Sequence, residues 1–139
     1  MASYAELFYL FGAMMIFSML SLNTSRSFNS TRQNIYRAEA EYRAVAVGQD
    51  ELDKVQWIYN PADLDPSSSS YVYENYPDTV THTYGSSGQF SSTFVINGTS
   101  VLLEDTGSMK RFQVSVSVLN QEITPEIFIT LDYVKSYTY

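Results

Sequence analysis

The chain contains no cysteine and only one histidine, His82. The first absence excludes disulfides and thiolate metal sites. The second leaves little room for metal or nucleophile chemistry: a Ser–His–Asp triad could use only His82, which sits in Thr81-His-Thr83 with no Gly-x-Ser-x-Gly elbow in the chain. A solvent-facing strand histidine is the simpler reading, and no catalytic residue or cofactor is expected. Basic residues are also scarce, 8 against 15 acidic, for a net charge of −7. That balance argues against a nucleic-acid partner. Intrinsic disorder does not fit either, because aromatics make up 15% of the 139 residues.

Charge is unevenly distributed. Residues 1–22 carry one charge, Glu6, and residues 23–60 carry five basic and five acidic side chains. Residues 61–139 carry three basic and nine acidic groups, so most of the acidity lies there. From Leu7 to Leu22, sixteen residues pass without a charge. With its flank back to Ala2, this stretch approaches the ~20 apolar residues of a bilayer-spanning helix. A secretory signal would want a basic start, yet no basic residue precedes Arg26 and an acid stands at position 6. A soluble core helix that is apolar on all sides needs a larger protein around it. A membrane span, or a helix buried among copies of itself, fits better. Tyr4, Phe8, Tyr9, Phe11 and Phe17 would supply packing area rather than a cofactor stack.

Residues 23–60 continue as an amphipathic helix. Phe28, Ile35, Tyr42, Gln49 and Gln56 recur every seven residues, with Thr31, Ala38, Val45, Leu52 and Tyr59 between them. Residues 38–47 are rich in good helix formers, and Glu39 and Arg43 stand in the favourable i,i+4 order. Asn60-Pro61 ends the run, because a residue before proline resists the helical region. A helix from Ser3 to Tyr59 would measure roughly 85 Å, so part of it should project from any globule of this size. The Ser/Thr/Asn-rich stretch from Ser21 to Thr31 predicts a bend, fraying or unwinding, because these side chains compete for backbone hydrogen bonds. A helix held continuous by its neighbours is the alternative.

Residues 61–70 read as a linker or loop, after which the period changes to two. Thr79–Tyr84, Thr93–Glu104, Phe112–Val118 and Ile127–Tyr133 alternate, and Asn97-Gly98 predicts a hairpin turn inside the second run. Four to six antiparallel strands follow, with one apolar face covered by the helix through Tyr42, Val45, Leu52, Val55 and Ile58. The expected fold is α+β: an apolar helix over 1–22, an amphipathic extension over 23–60, and a small antiparallel β head over 61–139.

Two further patterns carry chemistry. Asp63, Asp65, Ser67, Ser69, Tyr71 and Glu74 match an EF-hand-like spacing, but Pro66 intrudes and Ser68 replaces the glycine such a loop requires. The linker reading prevails, with Asp63, Asp65 and Glu74 kept as weak calcium candidates. Sequons begin at Asn23, Asn29 and Asn97. Asn29 is the best-placed glycan acceptor, and Asn97 doubles as a turn residue.

With Glu6 ahead of Leu7–Leu22, the helical extension to Tyr59 and a β head, the chain resembles the type IV pilin and pseudopilin family. Ala2 permits removal of the initiator methionine, which would place Glu6 fifth in the mature chain, where that family carries its carboxylate. The resemblance implies that Glu6 pairs with the amino terminus of a neighbouring subunit, and that Leu7, Phe8, Phe11 and Phe17 pack in a filament core. A carboxylate at a membrane edge, needing no such partner, is the alternative for Glu6. The resemblance further implies a non-enzymatic subunit that sits in the cytoplasmic membrane before assembly and in an extracellular filament after it. Its partners would be copies of itself and pilus-type assembly machinery. Three features depart from the family pattern: Ala2-Ser-Tyr-Ala-Glu6 replaces Phe-Thr-Leu-Ile-Glu, no basic leader ending in glycine precedes it, and no proline follows the apolar run. Arg26, Arg32, Arg37 and Arg43 after the span would place the C-terminal side in the cytoplasm by the positive-inside rule, opposite to pilin topology. The rival readings are a pseudopilin of a secretion or DNA-uptake machine and a monomeric membrane-anchored binding domain.

Overall fold

The computed structural model describes residues 4–84, 86–88 and 90–139. Met1, Ala2 and Ser3, where the expected helix start and any processed amino end lie, fall outside them. The chain is α+β. One helix, α1 (Tyr4–Gln56), precedes a short 3₁₀ turn (Pro61–Leu64) and four strands: β1 (Asp78–Tyr84), β2 (Phe90–Asp105), β3 (Met109–Asn120) and β4 (Ile127–Thr138). The strands form one antiparallel sheet in the order β1-β2-β3-β4, each pairing with its neighbours in sequence. Two compact units result, Met1–Ala38 and Glu39–Tyr139.

In the first unit the helix runs through Ser21–Thr31 without the expected break. The reason is local. Thr24 Oγ1 donates to the Leu20 carbonyl at 2.9 Å, and Thr31 Oγ1 donates to the Ser27 carbonyl at 3.0 Å. These hydroxyls bond back one turn along the helix instead of pulling the backbone out of it.

In the second unit, the helix face that meets the sheet is Ala40, Ala44, Val47, Gly48, Glu51, Leu52 and Val55. This corrects the expected face: Leu52 and Val55 are buried, but Tyr42 and Val45 lie on the exposed side. Small residues make close approach feasible. A Cβ on Gly48 would fall 2.8 Å from Leu131 Cδ1 and 3.3 Å from Val118 Cγ2, which is why Ala40, Ala44 and Gly48, rather than Tyr42 and Val45, face the strands. The opposite side of the core comes from period-two strands. Phe112, Val114, Val116 and Val118 of β3 are buried, alternating with half-buried polar neighbours. Phe94 and Ile96 of β2 and Ile127 of β4 complete it. Each of these large side chains contributes about 1.5–3 kcal/mol by burial.

The helix stops at Gln56, three residues before the expected Tyr59. Its last turn tightens, with Trp57 N–H and Ile58 N–H donating to the Lys54 and Val55 carbonyls at 3.1 Å each. Two side chains of β4 satisfy carbonyls beyond: Lys135 Nζ reaches Gln56 O, and Tyr137 Oη reaches Ile58 O, both at 2.8 Å. Asn60 then caps the 3₁₀ turn, its Oδ1 accepting from Ala62 N–H at 3.1 Å.

Within the segment expected as a linker or loop, 61–70, Leu64 is fully buried in the core; just after it, Tyr73 joins the core and Tyr71 and Tyr76 pack against it. β1 pairs with β2 only as far as Ile96, so among the described residues no strand flanks that edge of β2 beyond it. The packed segment covers part of that edge. Ser100 N–H donates to Tyr71 Oη at 3.1 Å, and Ser100 Oγ donates to the Leu64 carbonyl at 2.5 Å.

The Asn97-Gly98 hairpin is overturned. Both residues lie mid-strand in β2, opposite Ser117 and Val116 of β3. Gly98 is there for space: a Cβ would stand 2.2 Å from Tyr73 Cδ1. A glycine inside a strand marks a close approach of another group, and here that group is an aromatic ring. Glycine does serve the turns on either side of β2: Gly88 takes φ 63° between β1 and β2, and Thr106-Gly107 lies between β2 and β3. Gly107 takes φ 77° there, and its N–H donates to Asp105 Oδ1 at 3.2 Å. A register shift between Leu102 and Glu104 precedes it.

Candidate functional site: the amino-terminal helix and the tyrosine cluster

The residues marked for assembly all lie on the first turns of α1. Glu6 stands in the first helical turn, where the positive end of the helix macrodipole favours an acid. Leu7 and Phe11 are one turn apart on a shared face, and Phe8 and Phe17 point elsewhere around the barrel of the helix. Every large apolar side chain from Leu7 to Leu22 is exposed, Phe8 to 85%. The helix is long and apolar enough to cross a membrane, and no part of its most apolar stretch is buried within the chain. Shallow concavities run down it: one lined by Leu10, Met14, Phe17 and Ser21, another by Phe17, Thr24 and Phe28, and a third by Phe28, Thr31 and Ile35. Beside the third, Arg32 donates to Tyr36 Oη at 3.3 Å and lies over its ring.

The calcium candidates do not gather. Asp65 accepts from Ser67 N–H at 2.9 Å and Ser67 Oγ at 2.7 Å, closing a local turn. That hydrogen bonding holds its carboxyl below the usual carboxylate range. Tyr71 turns inward to Ser100, and Glu74 is exposed. Among the described residues, no group of three His, Cys, Asp or Glu side chains could hold a metal ion, so Asp63, Asp65 and Glu74 form no such site. Asn23 and Asn29 are exposed on α1, and Asn97 is exposed within β2 rather than at a turn. His82 is half-buried, not solvent-facing, and its ring meets Phe94 edge-on at 6.0 Å. Its position at the rim of the sheet, on the side that carries Phe94, explains the difference.

One polar cluster was not anticipated from the sequence. Glu51 is 5% exposed, on the helix face that meets the sheet. It takes Lys54 Nζ at 2.6 Å and the Tyr76 hydroxyl. Tyr76 meets Tyr73 edge-on at 5.0 Å, and Tyr73 meets Tyr71 at 5.9 Å. Burial, and next the Glu51 charge, push the Tyr73 phenol well above its ordinary range; burial and the hydrogen bond to Glu51 do the same for Tyr76. The phenols therefore stay protonated, and the row links helix to strand as a structural strut. The signal available in the sequence was the repeated tyrosine in Tyr71-Val-Tyr73-Glu-Asn-Tyr76, which reads as loop composition until the partner glutamate is known.

No protein-family model, curated protein or solved structure matches this chain.

Proposed function

We propose that this chain is a non-enzymatic structural subunit that polymerises into an extracellular helical filament through its amino-terminal helix, in the manner of type IV pilins. The observation that carries the reading is the exposure of all the large apolar side chains between Leu7 and Leu22 on a helix that continues unbroken to Gln56. Such a surface must be covered by lipid or by protein. Lipid would cover it before assembly and neighbouring copies afterwards, with the β head outside. Glu6 is assigned to register: a carboxylate inside an apolar bundle is costly unless paired, so it favours one arrangement over others. Glu6→Ala is expected to leave the chain membrane-inserted while blocking or misregistering polymerisation. Electron microscopy of sheared cell-surface material, with peptide identification, tests this. Normal filaments at normal abundance from Glu6→Ala would overturn the role of Glu6, and absence of the wild-type chain from any fibre would overturn the filament.

A monomeric membrane-anchored head is the second reading. It is favoured by the helix being long and apolar enough to cross a membrane on its own. In that case the chain stays in the membrane fraction and no fibre contains it.

A further inference from the structure

Between Leu7 and Ala38 the chain carries three arginines, Arg26, Arg32 and Arg37, and no acid. They lie on one unbroken helix, α1, and Arg26 and Arg32 are exposed on it. Among the described residues Arg26 makes no hydrogen bond or ion pair. Its helical neighbours three and four positions away, Leu22, Asn23, Asn29 and Ser30, offer no carboxylate. Arg32 donates to the Tyr36 hydroxyl at 3.3 Å and lies over that ring. Both contacts are with a neutral group, so the charge of Arg32 is not cancelled. The countercharge for Arg26 and Arg32 must come from outside this stretch of helix.

Position along the helix identifies the source. Leu7–Leu22 covers about 24 Å at 1.5 Å per residue, so a hydrocarbon layer of about 30 Å centred on it ends near residue 24. Arg26 then stands about 3 Å beyond that boundary, inside a headgroup layer of about 6 Å. Arg32 stands about 12 Å beyond it, clear of the headgroups but within the screening length of about 8 Å from them. Arg37, about 20 Å out, lies past that length.

The polar band has the matching composition. Thr24, at the boundary, donates its hydroxyl to the Leu20 carbonyl at 2.9 Å, which lowers the cost of placing it against acyl chains. Ser25 and Ser27 follow, exposed on the helix, with hydroxyls at the depth of phosphate and glycerol oxygens. A zwitterionic headgroup carries its own cation beside the phosphate, whereas an anionic one leaves its phosphate uncompensated. An arginine that has no acid within its own helix is the complement of the anionic class, and its planar fork of N–H groups matches a phosphate.

We propose that α1 recruits anionic phospholipids at the point where it leaves the membrane, with Arg26 taking the headgroup phosphate and Arg32 adding attraction from the aqueous side. Membrane insertion, common to both readings above, is the premise, and the lipid class is what is added to it. The test reconstitutes the full chain in vesicles of equal parts phosphatidylcholine and phosphatidylglycerol. Both leaflets carry the same lipids, so the orientation of insertion does not enter. Trace phosphatidylglycerol or phosphatidylcholine with a nitroxide on its acyl chain reports, by electron paramagnetic resonance, which lipid is held against the protein. The wild-type chain should hold phosphatidylglycerol about fivefold over phosphatidylcholine, the worth of one arginine at an anionic surface. Arg26→Gln should remove most of that preference, Arg32→Gln a smaller part and Arg37→Gln almost none, while Arg26→Lys should keep most of it. Equal retention of the two lipids by the inserted wild-type chain, an unchanged preference in Arg26→Gln, or equal losses from all three glutamine variants would overturn the assignment. So would collapse of the preference on adding inorganic phosphate at constant ionic strength, because the arginines would then be answering free phosphate. Should Arg26→Gln fail to insert, the salt response of the wild-type chain decides: the preference must fall as ionic strength rises, and indifference to salt sinks the idea. Insertion is scored separately, by resistance to alkaline extraction. A wild-type chain that washes off removes the membrane reading and the lipid assignment together, whereas insertion without preference removes the assignment alone.

Discussion

Replacing Gly98 by alanine tests the packing of the tyrosine row on the sheet. The added Cβ would fall 2.2 Å from Tyr73 Cδ1, 2.3 Å from Cε1 and 2.9 Å from Cγ. Carbon atoms pack at about 3.5–4.0 Å, so the ring would have to retreat by more than about 1 Å. It has no room: Tyr73 is 6% exposed and braced edge-on by Tyr71 and Tyr76. Overpacking of this kind costs about 1–3 kcal/mol, and disturbing an aromatic pair adds about 0.5–1.5 kcal/mol. Alanine returns about 0.5–1 kcal/mol over glycine in a strand. The net expectation is a loss of about 2–3 kcal/mol. With a urea m-value of about 1.5 kcal/mol per molar, the midpoint should fall by about 1–2 M. The assay is urea unfolding of the detergent-solubilised chain, followed by near-ultraviolet circular dichroism of the tyrosines. Tyr73→Ala alone should cost about 3 kcal/mol or more. In that background Gly98→Ala should be neutral or slightly stabilising, because the ring it strikes is gone. A Gly98→Ala midpoint at or above wild type, or an equal loss with and without the ring, would refute the argument.

Two further perturbations address the cluster beneath. Glu51→Ala leaves the Tyr76 hydroxyl and the Lys54 ammonium without their carboxylate, and should cost about 1–3 kcal/mol, while Glu51→Gln, which retains an acceptor for Tyr76, should cost less; urea midpoints of the two variants check the order. Burial, followed by the nearby Asp63 charge, pushes the Tyr137 phenol up to about 12. Its contribution is complete below the unfolded value of about 10 and is lost as pH rises toward the folded value. Stability should therefore decline over that alkaline window, with Tyr73 and Tyr76 extending the decline further, and Tyr137→Phe should remove its own share. A midpoint that stays flat across the window in the wild-type chain would count against the burial argument.

The long helix, the change of period after residue 70 and the inward sides of β3 and β4 are legible in the sequence because each rests on repetition: an uncharged run, or alternation over about seven residues. The misread features depend on single contacts between distant residues. Nothing near Gly98 announces that Tyr73, some twenty-five positions earlier, needs its space, so Asn97-Gly98 carries a turn signature that the packing overrides. Tyr42 and Val45 fit the heptad better than Ala40, Ala44 and Gly48, yet the sheet takes the smaller residues because they let the backbones come close. The composition of the serine- and threonine-rich band points to a break, whereas its structure depends on where the Thr24 and Thr31 hydroxyls point. For the candidate site, the apolar stretch and Glu6 were visible at once. The Glu51–tyrosine row was not, because its members are spread over a helix and an irregular segment.

The order of the sheet has a consequence for how the chain is made. Each strand pairs with the one before it, so contacts within the sheet are close in sequence and can form as the strands emerge. The helix is different. Gly48 is covered by Val118 of β3 and Leu131 of β4. Its sheet-facing side is synthesised early and must wait for the final strands before it is shielded. During that interval both the apolar segment and the future core face of the same helix are unprotected. Early transfer of the first of these into a membrane would leave the nascent chain with one sticky surface to manage instead of two.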